Sequence, residues 1–448
     1  MIGATSPSAP PRGGVGQSRY TREIHTHGGD LQGRLDTQRQ GMKRRHTALR
    51  TSQSILFVKN LEPKAQHRTV WCHRHVIDDV AMPVFRKFDG ARARLGKVKT
   101  CGSVWACPVC AAKVAEQRRR ELQHAMVAHV AAGGHAYLLT FTFPHYVGQS
   151  LAELMEPFGK ARQSFQNCRK WKAVMELANK VGVVNSLEVT YGGANGWHPH
   201  LHMLVFCDAG AFAEGPADDA GRLTSPAIEH LRGHWVRLLE KRGLVDASNR
   251  NWAGQYALDV RGGKDAADYI AKWGHDESWG MSSELTSSHA KIGKRDNWGA
   301  REHYTPFQLL ELARGGDGHA ICAFREFVAE FDGRRMLTWS RGLKDHFGID
   351  EIDDDEAAAE PELSLEDEHQ VGTIEQEQLQ VLTRFGRLGD FLALVAQHGH
   401  IPEAQRMMDD WIEAISESGA RQGRGDILVD RMRITDHSYF FVPDLVEG

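Results

Sequence analysis

The sequence lacks the features that mark several common classes of protein. It has no apolar run of the roughly 18 residues that a membrane-spanning helix needs, and no short apolar segment follows a basic N-terminus. We therefore expect neither a membrane partner nor a secretory signal. A G-x-x-x-x-G-K-[ST] phosphate loop is also absent, which argues against an ATP-driven helicase.

Cysteine is scarce and unevenly placed. The chain of 448 residues has seven, and three of them stand close together in "CGSVWACPVC". Cys-x-x-Cys is typical of zinc sites, so this spacing predicts a structural Zn²⁺ in a protein of the reducing cytosol rather than a disulfide framework. The expected ligands are Cys72, Cys101, Cys107 and Cys110, with His73 or His75 as alternatives to Cys72.

Positive and negative charge are separated along the chain. Residues 1–125 hold 23 Lys and Arg against 9 Asp and Glu, whereas residues 346–448 hold 7 against 24. A basic front portion is the electrostatic pattern of a nucleic-acid binder, although a solvated charged surface fits the charge alone equally well. Four basic residues near the cysteines are expected to contact DNA phosphates: Arg92, Arg94, Lys97 and Lys99.

The pattern of composition divides the chain into five segments. We predict a disordered basic tail (1–50), a cysteine-rich basic zinc module (51–125), a central α+β domain (126–347), an acidic linker (348–373) and a C-terminal helical region (374–448). The length allows two or more domains with cores of their own.

The middle of the chain alternates strand and helix patterns. Strands are predicted at 135–143, 181–191, 197–206 and 256–260, with helices at 151–180 and 226–242. The order β-α-β-β-α-β predicts a ferredoxin-like antiparallel sheet. In that topology the first and third strands are central, so the third strand would lie in mid-sheet.

The predicted third strand, in "GWHPHLHMLVF" (196–206), has a histidine at every second position. Side chains alternate between the faces of a strand, so His198, His200 and His202 share one face. Glu188, on the neighbouring hairpin strand, can add an oxygen ligand. Imidazole and carboxylate together suit Mg²⁺ or Mn²⁺, which would polarise a phosphoryl oxygen. The alternative is a polar face of hydrogen-bonded histidines, and the third ligand, His198 or Glu188, stays open.

Another helix is predicted after the fourth strand, in "RGGKDAADYIAKWGHD" (261–276). Asp265, Tyr269 and Lys272 project from one face of it because they are spaced by four and three residues. This set suits phosphoryl transfer, since the tyrosine can attack a phosphodiester, the lysine can position it and the carboxylate can accept a proton. Alone, the trio is no more than a common surface-helix pattern.

In combination, these motifs resemble the signature of HUH endonucleases. The strand "YLLTFTFPH", the stretch from His200 to Val205 and the Tyr269-x-x-Lys272 helix occur in the order typical of that superfamily. Within it, the chain is most similar to the single-tyrosine rolling-circle replication initiators of small plasmids. The resemblance extends over roughly residues 70–350 and includes "CGSVWACPVCAAKVAEQRRREL" and "MLTWSRGLKDHFG".

The resemblance implies a fold and a reaction. The central domain would be an HUH endonuclease that nicks and rejoins single-stranded origin DNA, with Tyr269 keeping a 5′-phosphotyrosine link. The released 3′-OH would prime a host DNA polymerase, and a host helicase would be needed to open the double-stranded origin. Asp265 would activate the water that ends the round, although family members usually carry the longer Glu there.

Two other functions fit the same residues. An HUH transposase or a mobilisation relaxase uses the same metal and tyrosine chemistry, but transposases with a zinc module often have a second Tyr four residues after the first, where this chain has Trp273. A non-catalytic, zinc-containing DNA-binding regulator would keep the histidines as structural residues. Loss of nicking with retained DNA binding in a Tyr269→Phe variant distinguishes an enzyme from a binder.

Overall fold

The computed structural model describes residues 31–77, 81–193, 195–208, 222–262, 303–359, 367–422, 432–435 and 438–441. Its helices are α1 (Leu31–Leu56), α2 (Pro108–Ala131), α3 (Leu151–Asn167), α4 (Arg169–Leu177), α5 (Pro226–Lys241), α6 (Arg250–Tyr256), α7 (Pro306–Arg314), α8 (Gly318–Phe331), α9 (Leu343–His346), α10 (Asp354–Ala359), α11 (Gln376–Arg384), α12 (Leu388–His398) and α13 (Ala404–Gln422). Short 3₁₀ helices cover Pro63–Ala65 and Arg68–Trp71. Within these ranges no helix is long and apolar enough to cross a membrane.

The strands form three sheets. They are β1 (Met82–Lys87), β2 (Ala93–Leu95), β3 (His135–Phe141), β4 (Lys180–Gly192), β5 (Gly196–Cys207), β6 (Leu258–Gly262), β7 (His303–Tyr304), β8 (Leu337–Trp339), β9 (Glu368–Ile374), β10 (Met432–Thr435) and β11 (Ser438–Phe441). β10 and β11 form a hairpin of their own. The other two sheets lie in the two larger clusters of buried side chains among the described residues.

The main sheet has six strands in the order β6-β3-β5-β4-β7, with β8 also pairing with β4. All of its pairings are antiparallel, so the predicted α+β class with an antiparallel sheet is confirmed. β5 lies between β3 and β4, so backbone groups of the histidine-bearing strand find partners on both sides.

The two faces of β5 have different neighbours. On one face, Leu201 is paired with Phe141, whose ring packs edge-on against Phe165 of α3. On the other face, Phe206 near the end of the strand packs edge-on against His129 of α2. Helix α2 therefore closes one end of this second face, and the histidines at its other end are half-buried.

A second core joins the two ends of the described chain. β9 pairs with β1 in the sheet β2-β1-β9, and the helices α1, α11, α12 and α13 contribute to the same cluster of buried side chains. Members of this core include Met82, Val84, Ile374, Phe391 and Met408. The region predicted to be helical (374–448) contains α11, α12 and α13 and also the hairpin of β10 and β11, and its helices share a core with the N-terminal module rather than having a core of their own.

Helix α1 corrects the prediction of a disordered tail over residues 1–50. The helix begins at Leu31, although its sequence is only weakly apolar. Three of its few apolar residues, Met42, Leu49 and Ile55, are buried against other parts of the protein. Tertiary packing, not the local sequence, therefore stabilises this helix. Residues 1–30 of the predicted tail lie outside the described residues.

Helices α1 and α12 are in close contact at Gly389. A Cβ atom there would lie 2.9 Å from the Cα atom of Lys43 and 3.0 Å from the Cβ atom of His46. Atoms of the backbone cannot move aside as the tip of a side chain can, so this crossing requires glycine.

We expect the substitution Gly389→Ala to lower the urea concentration at the midpoint of unfolding. The added methyl group overpacks the crossing, at a cost of about 1–3 kcal/mol. The matched control is Gly159→Ala in α3, where a Cβ atom meets nothing within 4 Å and alanine favours the helix by up to about 1 kcal/mol. Circular dichroism in urea measures both variants, and equal midpoints would contradict the close crossing.

Candidate functional site

Three imidazole rings lie along one face of β5. The ring centroids of His198 and His200 are 3.9 Å apart, and those of His200 and His202 are 6.2 Å apart. The pairing of β5 with β4 is regular through all three residues, so the alternation of side chains is preserved. The structure therefore brings together the three histidines of the predicted row.

The neighbouring strands hold this histidine row from both sides. Glu188 stands opposite His200 on β4, and its Oε2 atom lies 2.8 Å from Nε2 of His202. The other ring nitrogen of His202, Nδ1, lies 3.0 Å from Oγ1 of Thr140 on β3. The buried Nε2 atom of His200 has no hydrogen-bond partner in the part of the chain that the structure describes. An imidazole nitrogen in that position is available to a ligand.

Two further histidines, which the sequence analysis did not include, lie beside the row. The ring of His145 is 4.1 Å from that of His198, and its Nδ1 atom lies 3.1 Å from the backbone oxygen of Asn195. The ring of His303, on β7, is 6.4 Å from that of His198. His145 ends the segment "YLLTFTFPH", so the sequence offered a signal for it. His303 is more than a hundred residues away and comes near only because β7 pairs with β4.

Burial lowers the pKa of two imidazoles of the row, those of His198 and His200. Desolvation, followed by the charges of neighbouring histidines, lowers the pKa of His198 to about 2. Desolvation also lowers the pKa of His200 to about 4, although the Glu188 carboxylate opposes that shift. Burial alone would raise the pKa of Glu188, but the hydrogen bond from His202 and the histidine charges hold it below its usual value. Neutral imidazole and ionised carboxylate are the protonation states that ligate a cation.

The predicted nucleophile and its companions lie outside the described residues. Asp265, Tyr269 and Lys272 fall between the end of β6 at Gly262 and the start of β7 at His303. Their roles therefore stay predictions.

Four cysteine thiols meet at the beginning of α2. The Sγ atom of Cys72 lies 3.6 Å from those of Cys107 and Cys110, and the Sγ atom of Cys101 lies 3.8 Å from that of Cys110. Four ligands about 2.3 Å from a tetrahedral Zn²⁺ stand about 3.8 Å apart, so this set of thiols fits the ion. The ligand atoms of these four residues all lie within 4.8 Å of one another, which among the described residues holds for no other group of three or more His, Cys, Asp and Glu side chains, the histidine row included. The geometry favours Cys72 over the two alternative histidines.

The local sequence explains how the thiols are placed. Cys107 is the N-cap of α2, where its sulfur accepts a hydrogen bond from the backbone N–H of Cys110, and Pro108 begins the helix. Hydrogen bonds from the other three thiols hold the pKa of Cys110 well below its usual value. Burial raises the pKa of Cys72 and of Cys107. A Zn²⁺ ion at the centre would offset that cost of burial and ligate all four as thiolates.

Of the four basic residues expected to contact DNA, two are exposed, Lys97 and Lys99. Arg94 instead donates two hydrogen bonds to the carboxylate of Glu368 on β9, and its guanidinium lies 4.2 Å from the ring centroid of Phe85. Arg92 is half-buried. The sequence analysis missed Glu368, for which the only signal was the opposite charge of the two ends of the chain.

Fold and site together define an α+β protein with a candidate four-cysteine metal centre and a histidine row on an antiparallel sheet. Residues 92–217, which include three of the four cysteines of the cluster and the whole histidine row, match the family model described as "Replication protein" (Rep_1). This segment is therefore similar to replication proteins, and the predicted resemblance to plasmid replication initiators is confirmed.

Two relatives show how far the similarity extends. "Protein rep" of Streptomyces lividans is 27% identical over 310 residues, which cover 58% of this chain and 66% of that protein. "Neomycin resistance protein" of Streptomyces cyanogenus is 29% identical over 165 residues, which cover 32% of this chain and 37% of that protein. The chain thus spans slightly less than two thirds of the first relative and little more than a third of the second. No solved structure is a significant match to this chain.

We expect protein purified without added metal to contain about one tightly bound Zn²⁺, because the four thiols fit one tetrahedral ion. The double substitution Cys107→Ser with Cys110→Ser should remove it, as elemental analysis would show. Cys168→Ser is the control, since Cys168 lies outside the cluster and caps α4, a position that serine also fills well. A full complement of zinc in the double variant would refute this ligand set.

Proposed function

We propose that this protein initiates the rolling-circle replication of a plasmid by nicking and rejoining single-stranded origin DNA. The observation that carries this proposal is the histidine row on a central strand, inside the segment that matches replication proteins. The strand order β6-β3-β5-β4 supports the finer assignment to the ferredoxin-like sheet of HUH endonucleases.

In this proposal the histidine row binds Mg²⁺ or Mn²⁺. His200 and His202 are two of the ligands, and the third is His198 or Glu188. The partnerless Nε2 atom of His200 supports the first assignment. Thr140 bonds Nδ1 of His202 so that Nε2 faces Glu188, the orientation that ligation by both side chains needs. The cation would supply polarisation of the scissile phosphate.

Tyr269 is the proposed nucleophile. Its hydroxyl oxygen forms a bond to phosphorus while the bond from phosphorus to the 3′ oxygen breaks, which leaves a 5′-phosphotyrosine and a 3′-OH end. Lys272 would position the phosphate. Asp265 would take the proton from the water that later releases the link. The 3′-OH end would then be extended by a host DNA polymerase.

The N-terminal module is proposed to bind the double-stranded origin. Lys97 and Lys99 are exposed and can reach phosphates, whereas Arg94 can do so only if it leaves Glu368. Zn²⁺ in the cysteine cluster would stabilise the module that presents these lysines. A host helicase would separate the strands, since the sequence has no phosphate loop of its own.

The second candidate is a non-catalytic, zinc-containing DNA-binding regulator. The direct hydrogen bond between His202 and Glu188 favours it, because that pair is satisfied without a cation. A transposase or a mobilisation relaxase would use the same site chemistry, and its DNA substrate would distinguish it from a plasmid initiator.

Incubation with origin single strand and Mn²⁺ should give a covalent adduct between Tyr269 and the 5′ phosphate, detected by mass spectrometry of the digested protein. Tyr269→Phe removes one oxygen atom, so the adduct should vanish while the protein still folds and binds DNA. Asp265→Ala should keep the adduct and slow its release.

Tyr191→Phe is the control for the adduct, since Tyr191 belongs to the same sheet and packs against Trp197, on the face away from the histidine row. It should form as much adduct as the unchanged protein. An adduct on another tyrosine would show that Tyr269 is not the nucleophile and would leave the enzyme class unchanged. DNA binding without any adduct would favour the regulator.

We expect His200→Ala and His202→Ala each to reduce cleavage by at least about a hundredfold, because loss of the cation removes several kcal/mol of transition-state stabilisation. DNA binding measured in EDTA should be nearly unchanged. His230→Ala on the exposed side of α5 serves as the control and should cleave normally. Cleavage by the unchanged protein in EDTA would contradict a metal at the histidine row.

A further inference from the structure

The exposed tyrosine and tryptophan side chains are concentrated at one place. Among the residues whose side chains the structure describes, they are Tyr146, Trp252 and Tyr256, with 52%, 41% and 45% of their surfaces accessible. The other described Tyr and Trp side chains are buried or half-buried. We call these three residues the aromatic patch. Apolar surface gathered in this way is typical of binding sites.

The rings of the aromatic patch are held in place by contacts within the protein. Trp252 and Tyr256 are one turn apart on α6, with ring centroids separated by 5.5 Å. Asn249, the N-cap residue of α6, donates a hydrogen bond of 3.0 Å from Nδ2 to the hydroxyl oxygen of Tyr146. The loop after β3 is therefore tied to the helix, which keeps Tyr146 beside the two rings of α6.

The aromatic patch is continuous with the histidine row. His145, next to Tyr146 in sequence, has its ring 4.1 Å from the ring of His198. The backbone N–H of Thr142 donates to the carbonyl oxygen of Ala257 directly after α6, and the Thr142 hydroxyl lies 3.2 Å from Nε2 of His198. Contacts through one or two residues thus connect the exposed rings with the histidine row, the proposed site of DNA cleavage.

Positive charge accompanies the rings. The guanidinium of Arg222 lies 6.0 Å from the ring centroid of Tyr256. Arg250, on α6, is already paired with Glu240 and lies two residues before Trp252, on another side of the helix, so Arg222 is the cation that accompanies the rings. Aromatic faces beside guanidinium groups are the combination that binds unpaired nucleobases and their phosphates, whereas a duplex hides the faces of its bases.

We propose that the aromatic patch stacks unpaired bases of the same DNA strand whose phosphodiester reaches the histidine row. The inference rests on the proposed function for the identity of that strand. It assigns contacts that hold that strand, since the bases beside the cleaved bond would lie on the faces of these rings. Double-stranded DNA at this point would lose the stacking contacts.

The first experiment measures binding without cleavage. In EDTA, fluorescence anisotropy reports the affinity for a labelled single strand of about 20 nucleotides, longer than the roughly 4–16 that such sites cover. Trp252→Ala combined with Tyr256→Ala should weaken binding by at least about fivefold, the lower end for one stacked base. Trp252→Phe with Tyr256→Phe keeps both rings and should restore most of the affinity.

The matched control is Phe88→Ala, since Phe88 is also an exposed aromatic, at 62%, but belongs to the N-terminal module and stacks on His369. It should leave the affinity for the single strand unchanged. Affinity for the duplex of the same sequence should change little in the alanine double variant, because paired bases do not reach the rings.

The second experiment removes bases instead of rings. Oligonucleotides with abasic positions, moved stepwise along the strand, should lose affinity for the unchanged protein at one or two positions. The alanine double variant should bind the intact strand and those abasic strands with the same affinity. Its rings are already missing, so removal of the bases that stack on them has no further effect.

Three outcomes would overturn the stacking proposal. The first is an unchanged affinity of the alanine double variant for the single strand. The second is a loss of affinity in that variant, relative to the unchanged protein, that is the same for intact and for abasic strands. The third is a variant whose only defect is weaker self-association, which would assign the patch to a second copy of the chain. Because all binding is measured in EDTA, failure of the Tyr269 adduct would refute the proposed nicking and leave these results standing.

Discussion

The position of β5 between β3 and β4 is the constraint on which the rest of the structure depends. With partners on both sides, the strand cannot rotate, so its odd-numbered residues enter the core and its even-numbered histidines face the opposite way. A slip of one residue would bury the imidazoles and expose Leu201 and Met203. The same pairing brings Thr140 and Glu188 to the two sides of His202.

Helix α2 connects the two candidate metal sites. It begins within the cysteine cluster at Pro108 and ends at Ala131, a span of 24 residues or about 36 Å. Near its far end His129 packs on Phe206 and closes one end of the histidine face. One helix thus begins at the cysteine cluster and packs at its other end on the strand that carries the histidines.

The charge separation along the sequence is partly cancelled by the fold. Glu368 pairs with Arg94, and Asp354 and Asp355 pair with Arg118 and Arg68. The acidic segment therefore lies against the basic module, and the positive surface left for nucleic acid is smaller than a count of charges indicates. Charge counts predict the sign of a partner, but only the packed structure shows which charges already have one.

The sequence by itself determined what depends on neighbours along the chain: the strands around the turn before Gly196, the shared face of the three histidines and the spacing of Cys107 and Cys110. These follow from the periods of strands and helices and from local capping. Only the tertiary structure decided that Cys72 completes the cluster, that α1 is helical, that His303 lies near His198 and that Glu368 holds Arg94. Each of those features joins residues far apart in sequence or depends on burial against a distant segment. Local periodicity does not specify which distant surface a residue meets, because many surfaces of similar polarity compete until the whole chain packs.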